Sequence, residues 1–183
     1  MANTSVFGIY SDRAAVESAV TDLREAGFRA TDISVLLPQN LGNKDIGTEA
    51  HSKAPEGAAT GAASGAVVGG VLGWLAGIGA LAIPGIGPLI AAGPIVGMLA
   101  GAGAAGAAGG IVGGLVGAGL PEYEAKRYQG RIKDGGILLS VHSDDSEWTD
   151  RAKKILEITG AEDIHATSEA KGDYAETDRP VLR

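Results

Sequence analysis

The chain has 183 residues, with 22 acidic and 15 basic side chains, a formal net charge of −7, no cysteine and 4% aromatic residues. These values exclude a disulfide scaffold, a thiolate metal site, a cysteine nucleophile and a basic nucleic-acid binder. The mean hydropathy is nonetheless positive, at +0.13. Its source is one uncharged segment, Gly57–Pro121, whose 65 residues include 21 of the 30 glycines and 17 alanines but no Asp, Glu, Lys, Arg or His.

Residues 1–38 predict a βαβ unit. Residues 5–10 are rich in β-formers, Ser11 is a candidate helix N-cap, and apolar residues then recur every three or four positions until Gly27. Residues 32–37 predict a second strand, ended by a proline. Residues 39–56 have many turn formers and no periodicity, which predicts a linker.

The uncharged segment predicts a long helical hairpin over 57–120, with a glycine zipper along each arm. A period of four draws a stripe without side chains on a helix, so another backbone can approach it closely. We assign oligomerisation or helix packing to this stripe: Gly57, Gly61, Gly65, Gly69, Gly73, Gly77, Gly93, Gly97, Gly101, Gly109, Gly113 and Gly117. The predicted hairpin turn contains Pro84, Gly85, Gly87 and Pro88.

Two environments can compensate for so many helical glycines. In a bilayer the backbone must satisfy its own hydrogen bonds, and each arm exceeds the roughly 20 residues that a crossing requires. Basic residues such as Lys53, Lys126 and Arg127 lie near the ends of the hairpin, so both flanks are expected on the cytoplasmic side of the cytoplasmic membrane. The alternative is a cytoplasmic assembly that buries the hairpins in a shared protein core.

Residues 121–167 predict a helix followed by a second βαβ half. Pro121 suits a helix N1 position, residues 137–141 predict a strand, and Ser143 is a candidate N-cap for the next helix. Residues 163–167 predict the last strand, and residues 168–183 predict a polar tail.

The two flanks resemble each other at offsets of about 132 residues, as in Ser11-Asp12 and Ser143-Asp144. Two βαβ halves separated by a long connection predict an α+β fold, namely a ferredoxin-like split βαβ sandwich with a four-stranded antiparallel sheet and two helices on one face. We therefore expect one small domain interrupted by the hydrophobic hairpin.

Several segments are similar to bacterial general stress proteins, including low-temperature-induced proteins. They are Phe7–Ser11, Leu23–Phe28, Asp32–Leu36, Gly79–Pro88 and Gly119–Ala125. This resemblance spans about residues 5 to 165. It implies a stress-induced, membrane-associated protein, and it gives no catalytic residues to transfer.

Candidate chemical sites are weak, and we expect no enzyme activity and no catalytic, cofactor or metal residues. The three histidines, His51, His142 and His165, are scattered, and Asp144, Asp145 and Glu147 suit the first turn of a helix, where acids complement its dipole. No nucleic-acid partner is expected.

Two functions fit this sequence. The favoured one is a stress-associated scaffold that self-associates through its zippers, with the bilayer or a shell or filament as its setting. The alternative is a regulatory module that binds a ligand or partner protein on its open sheet face or at Tyr10, Tyr123 and Tyr128, with the hairpin only localising it.

Overall fold

A computed structural model describes residues 4–38, 79–83, 86–95, 99 and 110–168 of the chain. The fold is α+β, as predicted. Its elements are β1 (Thr4–Tyr10), α1 (Arg13–Glu25), a 3₁₀ turn (Ala30–Asp32), β2 (Ile33–Pro38), β3 (Gly79–Ile83), β4 (Gly87–Ala92), α2 (Gly110–Gly117), α3 (Glu122–Lys133), β5 (Ile137–Ser143), α4 (Ser146–Ile158) and β6 (Glu162–Ser168).

The strands form one antiparallel sheet in the order β3-β4-β2-β5-β1-β6. Strand β5 of the second half lies between β1 and β2 of the first half, so the two halves share one sheet. The register pairs Val6 with Val141 and Val35 with Leu139. The sheet has six strands where four were predicted, because β3 and β4 extend it beyond β2.

Helices α1 and α4 cover one face of the sheet. Inward-facing strand residues alternate with those of the other face, as the two-residue period of a strand requires. At the end of α1, Phe28 meets Trp148 edge to face at 4.9 Å, and the Arg151 guanidinium lies 4.5 Å from the Trp148 ring centroid. The core on this face includes Val6, Val16, Val20, Leu23, Val35, Leu139, Val141, Ala152 and Leu156.

The second face of the sheet is also covered, which corrects the prediction of helices on one face only. Helices α2 and α3 lie over it, and much of the covering layer comes from the uncharged segment. This core includes Phe7, Ile9, Leu36, Leu89, Ile95, Ile111, Leu115, Leu120, Tyr128, Ile132 and Leu138. Apolar residues of the segment therefore help to bury the second face of the sheet.

The predicted helical hairpin is wrong over residues 79–83 and 87–92. These residues form the strands β3 and β4, and Gly87 and Pro88 of the predicted hairpin turn lie in β4. A strand is stable here because the β4 backbone pairs with β2 from Val35 to Pro38, and tertiary pairing overrides the fourfold glycine spacing. Residues 57–78 of the first predicted arm lie outside the described residues. In the second arm, α2 is a helix, as predicted.

Both predicted N-caps are displaced along the chain. Asp12, not Ser11, caps α1 by accepting a hydrogen bond from the Ala15 amide at 3.2 Å. Asp145, not Ser143, caps α4 by accepting one from the Trp148 amide at 3.0 Å. Each preceding strand ends two residues before its cap, β1 at Tyr10 and β5 at Ser143, so Ser143 is a strand residue and not a cap.

The membrane-crossing helices proposed from the sequence find no counterpart in the part of the chain that the structure describes. None of the helices there is long and apolar enough to span a bilayer.

Candidate functional site

The end of β5 and the start of α4 hold a group of hydrogen-bonded polar side chains. The Ser143 and Thr149 hydroxyls lie 2.8 Å apart, and the Ser143 hydroxyl donates to the Thr4 carbonyl at 3.0 Å. The Asp145 carbonyl accepts from the Thr149 hydroxyl at 2.8 Å. These contacts connect the first turn of α4 to the C-terminal end of β5 and the N-terminal end of β1.

An open cleft of about 500 Å³ lies beside this helix start. Its lining residues are Thr4, Asp144, Asp145, Ser146, Thr149, Asp150 and Lys153. The predicted acidic cluster is part of this region, yet its members have partners within the fold. Asp145 caps the helix, Asp144 lies 3.1 Å from the His142 ring, and Glu147 pairs with an arginine of the same helix at 3.0 Å.

A chain of alternating charges connects β2 to the end of β5. Asp32 is 2% exposed, and it accepts hydrogen bonds from the Arg29 backbone amide at 2.7 Å and the Arg29 guanidinium at 3.1 Å. The same guanidinium lies 4.0 Å from Asp144, which in turn contacts His142 Nε2. This network stabilises the junction, because a buried carboxylate requires a nearby positive charge and hydrogen-bond donors.

Ser143 is not placed to complete a nucleophilic triad with His142 and Asp144. Adjacent residues of a strand point to opposite faces, so the Ser143 hydroxyl lies on the opposite side of β5 from His142. That hydroxyl is already engaged with Thr4 and Thr149. Ser143 therefore does not supply a hydroxyl that His142 and Asp144 could activate for attack.

A second polar group fastens α3 to the edge strand β6. The Arg127 guanidinium pairs with Asp163, the Arg131 guanidinium pairs with Glu162, and the Tyr128 hydroxyl donates to the Asp163 carbonyl. Further along β6, the Thr167 hydroxyl donates to the Gly119 carbonyl, in the loop between α2 and α3, at 2.8 Å. These contacts hold α3 over the second face of the sheet.

The three tyrosines proposed as a binding site do not come together. Tyr10 is buried beside α4, with its hydroxyl 2.8 Å from the Thr159 hydroxyl, and burial raises its pKa to about 12. Tyr128 is buried on the opposite face, where burial also raises its pKa. Only Tyr123 is exposed, at 74%. The open sheet face of the same hypothesis is occupied by α2 and α3.

The glycines assigned to helix packing are only partly described. Gly93 has a φ of +81° in the bend after β4, and a Cβ there would lie 2.1 Å from the Ile33 carbonyl oxygen. A Cβ on Gly113 or Gly117 of α2 would meet nothing within 4 Å among the described residues. Gly87 lies in β4 with a φ of +102°, and Pro88 follows it. Outside the described residues lie Gly57, Gly61, Gly65, Gly69, Gly73, Gly77, Pro84, Gly85, Gly97, Gly101 and Gly109.

Sequence reasoning missed the network around Asp32. Its signal was available in the spacing of Arg29 and Asp32, three residues apart just before a strand, which is the spacing of the capping interaction that the structure contains. The partner Asp144 is over a hundred residues away, and no local pattern indicates it.

Within the residues that the structure describes, no His, Asp and Glu side chains group as a metal site would require. The polar groups above instead brace secondary structure. They define the class of this protein as a small α+β domain with both sheet faces covered and its charged side chains used to join its elements.

A family model described as "Alternative complex III, ActD subunit" matches residues 4–166, and the chain belongs to that family. Neither the curated proteins nor the solved structures gave a significant match.

This finding overturns several expectations. Membership of the general stress and low-temperature-induced proteins is wrong, because the matching family is the ActD subunit. The stress-scaffold function is wrong for the same reason. A subunit of a larger complex has other subunits as partners, so the predicted homo-oligomer is wrong as well.

Proposed function

We propose that this chain is a non-catalytic subunit of Alternative complex III that binds the other subunits of that complex at the membrane. The match of the family model over residues 4–166 carries the proposal. Alternative complex III is a membrane-associated respiratory electron-transfer complex. The role that follows for this chain is assembly or stabilisation of the complex.

The non-catalytic role is supported by the contacts of the candidate residues. Asp145 caps a helix, Asp144 bridges His142 and Arg29, and the Tyr10 and Tyr128 hydroxyls are buried and hydrogen-bonded. Groups with these structural roles are poorly placed to exchange protons with a substrate.

The finer fold proposed for the domain is a ferredoxin-like sandwich of β2, β5, β1 and β6 with α1 and α4. The observed order of these strands supports it, since each half contributes one inner and one outer strand and every pair is antiparallel. The β3–β4 hairpin and helices α2 and α3 are then additions to this sandwich.

We also propose that the domain lies on the cytoplasmic side of the membrane. Helix α3 begins directly after the uncharged segment and carries Lys126, Arg127, Arg131 and Lys133. An excess of lysine and arginine close to an apolar segment is typical of the cytoplasmic side.

Labelling of a single introduced cysteine tests this sidedness. Because the chain has no cysteine, a Lys154→Cys variant at an exposed position of α4 reports the side of the membrane on which that residue lies. A membrane-impermeant maleimide should label it in inside-out vesicles and leave it unlabelled in right-side-out vesicles. The opposite pattern refutes the sidedness.

Subunit membership is tested by purifying the tagged full chain from membranes in mild detergent. The other subunits of Alternative complex III should co-purify in fixed proportion and should be absent from an untagged control. A chain recovered without them refutes the proposal.

The non-catalytic role needs a separate measurement. A His142→Gln variant should leave electron transfer per assembled complex unchanged, whatever it does to the amount of complex. A loss of turnover in fully occupied complex contradicts the non-catalytic role.

A further inference from the structure

The two edges of the six-stranded sheet differ in how they are protected. Strand β6 forms one edge, and it carries Glu162 and Asp163, both paired with arginines of α3. Asp163 has a φ of +53°, and the pairing of β1 with β6 shifts register between Phe7 and Ile9. Charged residues and bulges at an edge hinder pairing with another strand. The β6 edge is therefore guarded, meaning that its charged residues and irregular register hinder pairing with a further strand.

Strand β3 forms the other edge, and its sequence has no such device. Residues 79–83 are Gly-Ala-Leu-Ala-Ile, without charge or proline. It pairs regularly with β4 over all five residues. Among the described residues no strand lies beyond it. An uncharged, regular edge offers unpaired backbone groups to another chain.

Two prolines show which β3 backbone groups face outward. Pro38 pairs with Leu89, and Pro88 pairs with Ala82. Proline has no amide hydrogen, so both pairs occupy non-hydrogen-bonded positions of their ladders. These assignments agree, because Leu89 then exchanges its hydrogen bonds with Leu81 of β3. The backbone N–H and C=O groups of Ala80 and Ala82 consequently point away from β4, toward the edge beyond which no described strand lies.

From this geometry we propose that the outer edge of β3 pairs with an extended, uncharged strand of a neighbouring subunit of Alternative complex III. The inference rests on the proposed function, and it adds the surface and the mode of binding. Strand addition satisfies the outward N–H and C=O groups of Ala80 and Ala82 through main-chain hydrogen bonds.

The charge pattern favours an uncharged partner strand. Strand β3 lies inside the uncharged segment, whose 65 residues contain no ionisable side chain. A charged strand placed on this edge would lose hydration without gaining a counter-ion from β3 or its flanks. The guarded β6 edge discourages the same partner from pairing there.

Hydrogen exchange of the wild-type full chain, alone in mild detergent and within the purified complex, tests the pairing. The Ala80 and Ala82 amides should exchange rapidly in the chain alone and at least tenfold more slowly in the complex. The Leu81 amide, which faces β4, should be protected in both states. Edge amides that are already protected in the chain alone overturn the proposal, since another part of the chain or a second copy then covers β3. Edge amides that remain rapid in the complex overturn it too.

A pair of variants separates the backbone from the side chain. Ala82→Pro removes one outward donor, and it should reduce occupancy of the chain in the complex at least fivefold. Ala82→Val keeps the amide and should retain occupancy within twofold. Protection of the Leu89 amide in the Ala82→Pro chain shows that the β3–β4 hairpin is intact. Equal occupancy of the two variants with an intact hairpin refutes strand pairing.

The two proposals fail in different ways. If the wild-type chain does not co-purify with the complex, the proposed function is wrong. If the wild-type chain assembles and its Ala80 and Ala82 amides gain no protection, only the strand pairing is wrong.

Discussion

Replacing Gly93 by alanine should strongly destabilise the domain. An alanine at φ +81° pays about 1–2 kcal/mol for a left-handed backbone. Its Cβ would also lie 2.1 Å from the Ile33 carbonyl oxygen and 2.9 Å from the Ser34 Cα. These are backbone atoms of β2 that cannot rotate away, and relieving such overpacking costs about 1–3 kcal/mol more. The expected loss is about 2–5 kcal/mol.

Gly160→Ala is the matched control. Gly160 also has a positive φ, +89°, but a Cβ there meets nothing within 4 Å among the described residues. This variant should lose only the backbone term of about 1–2 kcal/mol. Urea unfolding of both variants, followed by far-UV circular dichroism, gives the two free energies at unchanged m-values. Equal losses would show that the close approach of Gly93 to β2 carries no energy, and the reasoning would be wrong.

Three further predictions concern the polar contacts. Asp145→Ala should cost about 1 kcal/mol of unfolding free energy through loss of the α4 N-cap. Its control, Asp150→Ala at an exposed position of the same helix, should change the unfolding free energy by less than about 0.5 kcal/mol. Urea unfolding compares the two variants, and equal losses would contradict the capping role of Asp145. Tyr128→Phe removes the hydroxyl that donates to the Asp163 carbonyl and should cost about 1 kcal/mol, while Tyr123→Phe, at a 74% exposed side chain, is the control and should be near neutral. Burial raises the pKa of Tyr10 to about 12 in the folded state, above its unfolded value of about 10. The protonated Tyr10 side chain therefore makes its full contribution to the free energy of unfolding below pH 10, and this contribution is lost as the pH rises toward 12. Unfolding measured from pH 9 to 12 should therefore show a smaller decline in Tyr10→Phe, and an unchanged slope would refute the assignment.

The elements outside the uncharged segment could be predicted from the sequence because their periodicity is strong. Val16, Val20 and Leu23 follow helical spacing and all three are buried. Ala125, Tyr128 and Ile132 do the same in α3. Local spacing is enough here, since each of these elements buries one face and exposes the other.

Local spacing failed inside the uncharged segment. With every residue apolar or small, the positions that β4 buries have no polar alternation to mark them, as Leu89, Ile90, Ala91 and Ala92 show. Such a run does not separate a strand from a helix. The pairing of β4 with β2, from a distant part of the sequence, decides between them. The fourfold glycine spacing then suggested a helix where a sheet extension forms.

The candidate site was predictable only in its local parts. Acidic residues at the start of α4 were expected there, and Asp145 does cap the helix. The role of His142 depends on Asp144 and through it on Arg29 of the other half. Contacts between halves that are more than a hundred residues apart leave no periodic trace.

Part of the uncharged segment belongs to the folded domain, and this changes what its composition means. Leu89, Ile95, Ile111 and Leu115 are buried against Phe7 and its neighbours on the second face of the sheet. Without them that face would expose a continuous apolar surface to water. Burial within this chain therefore accounts for the hydrophobicity of these described residues of the segment. That burial leaves the outer edge of β3, beyond which no described strand lies, whereas the β6 edge carries acidic residues that pair with arginines of α3. Within the residues that the structure describes, the uncharged edge of β3 is therefore the surface through which we expect this chain to join the complex.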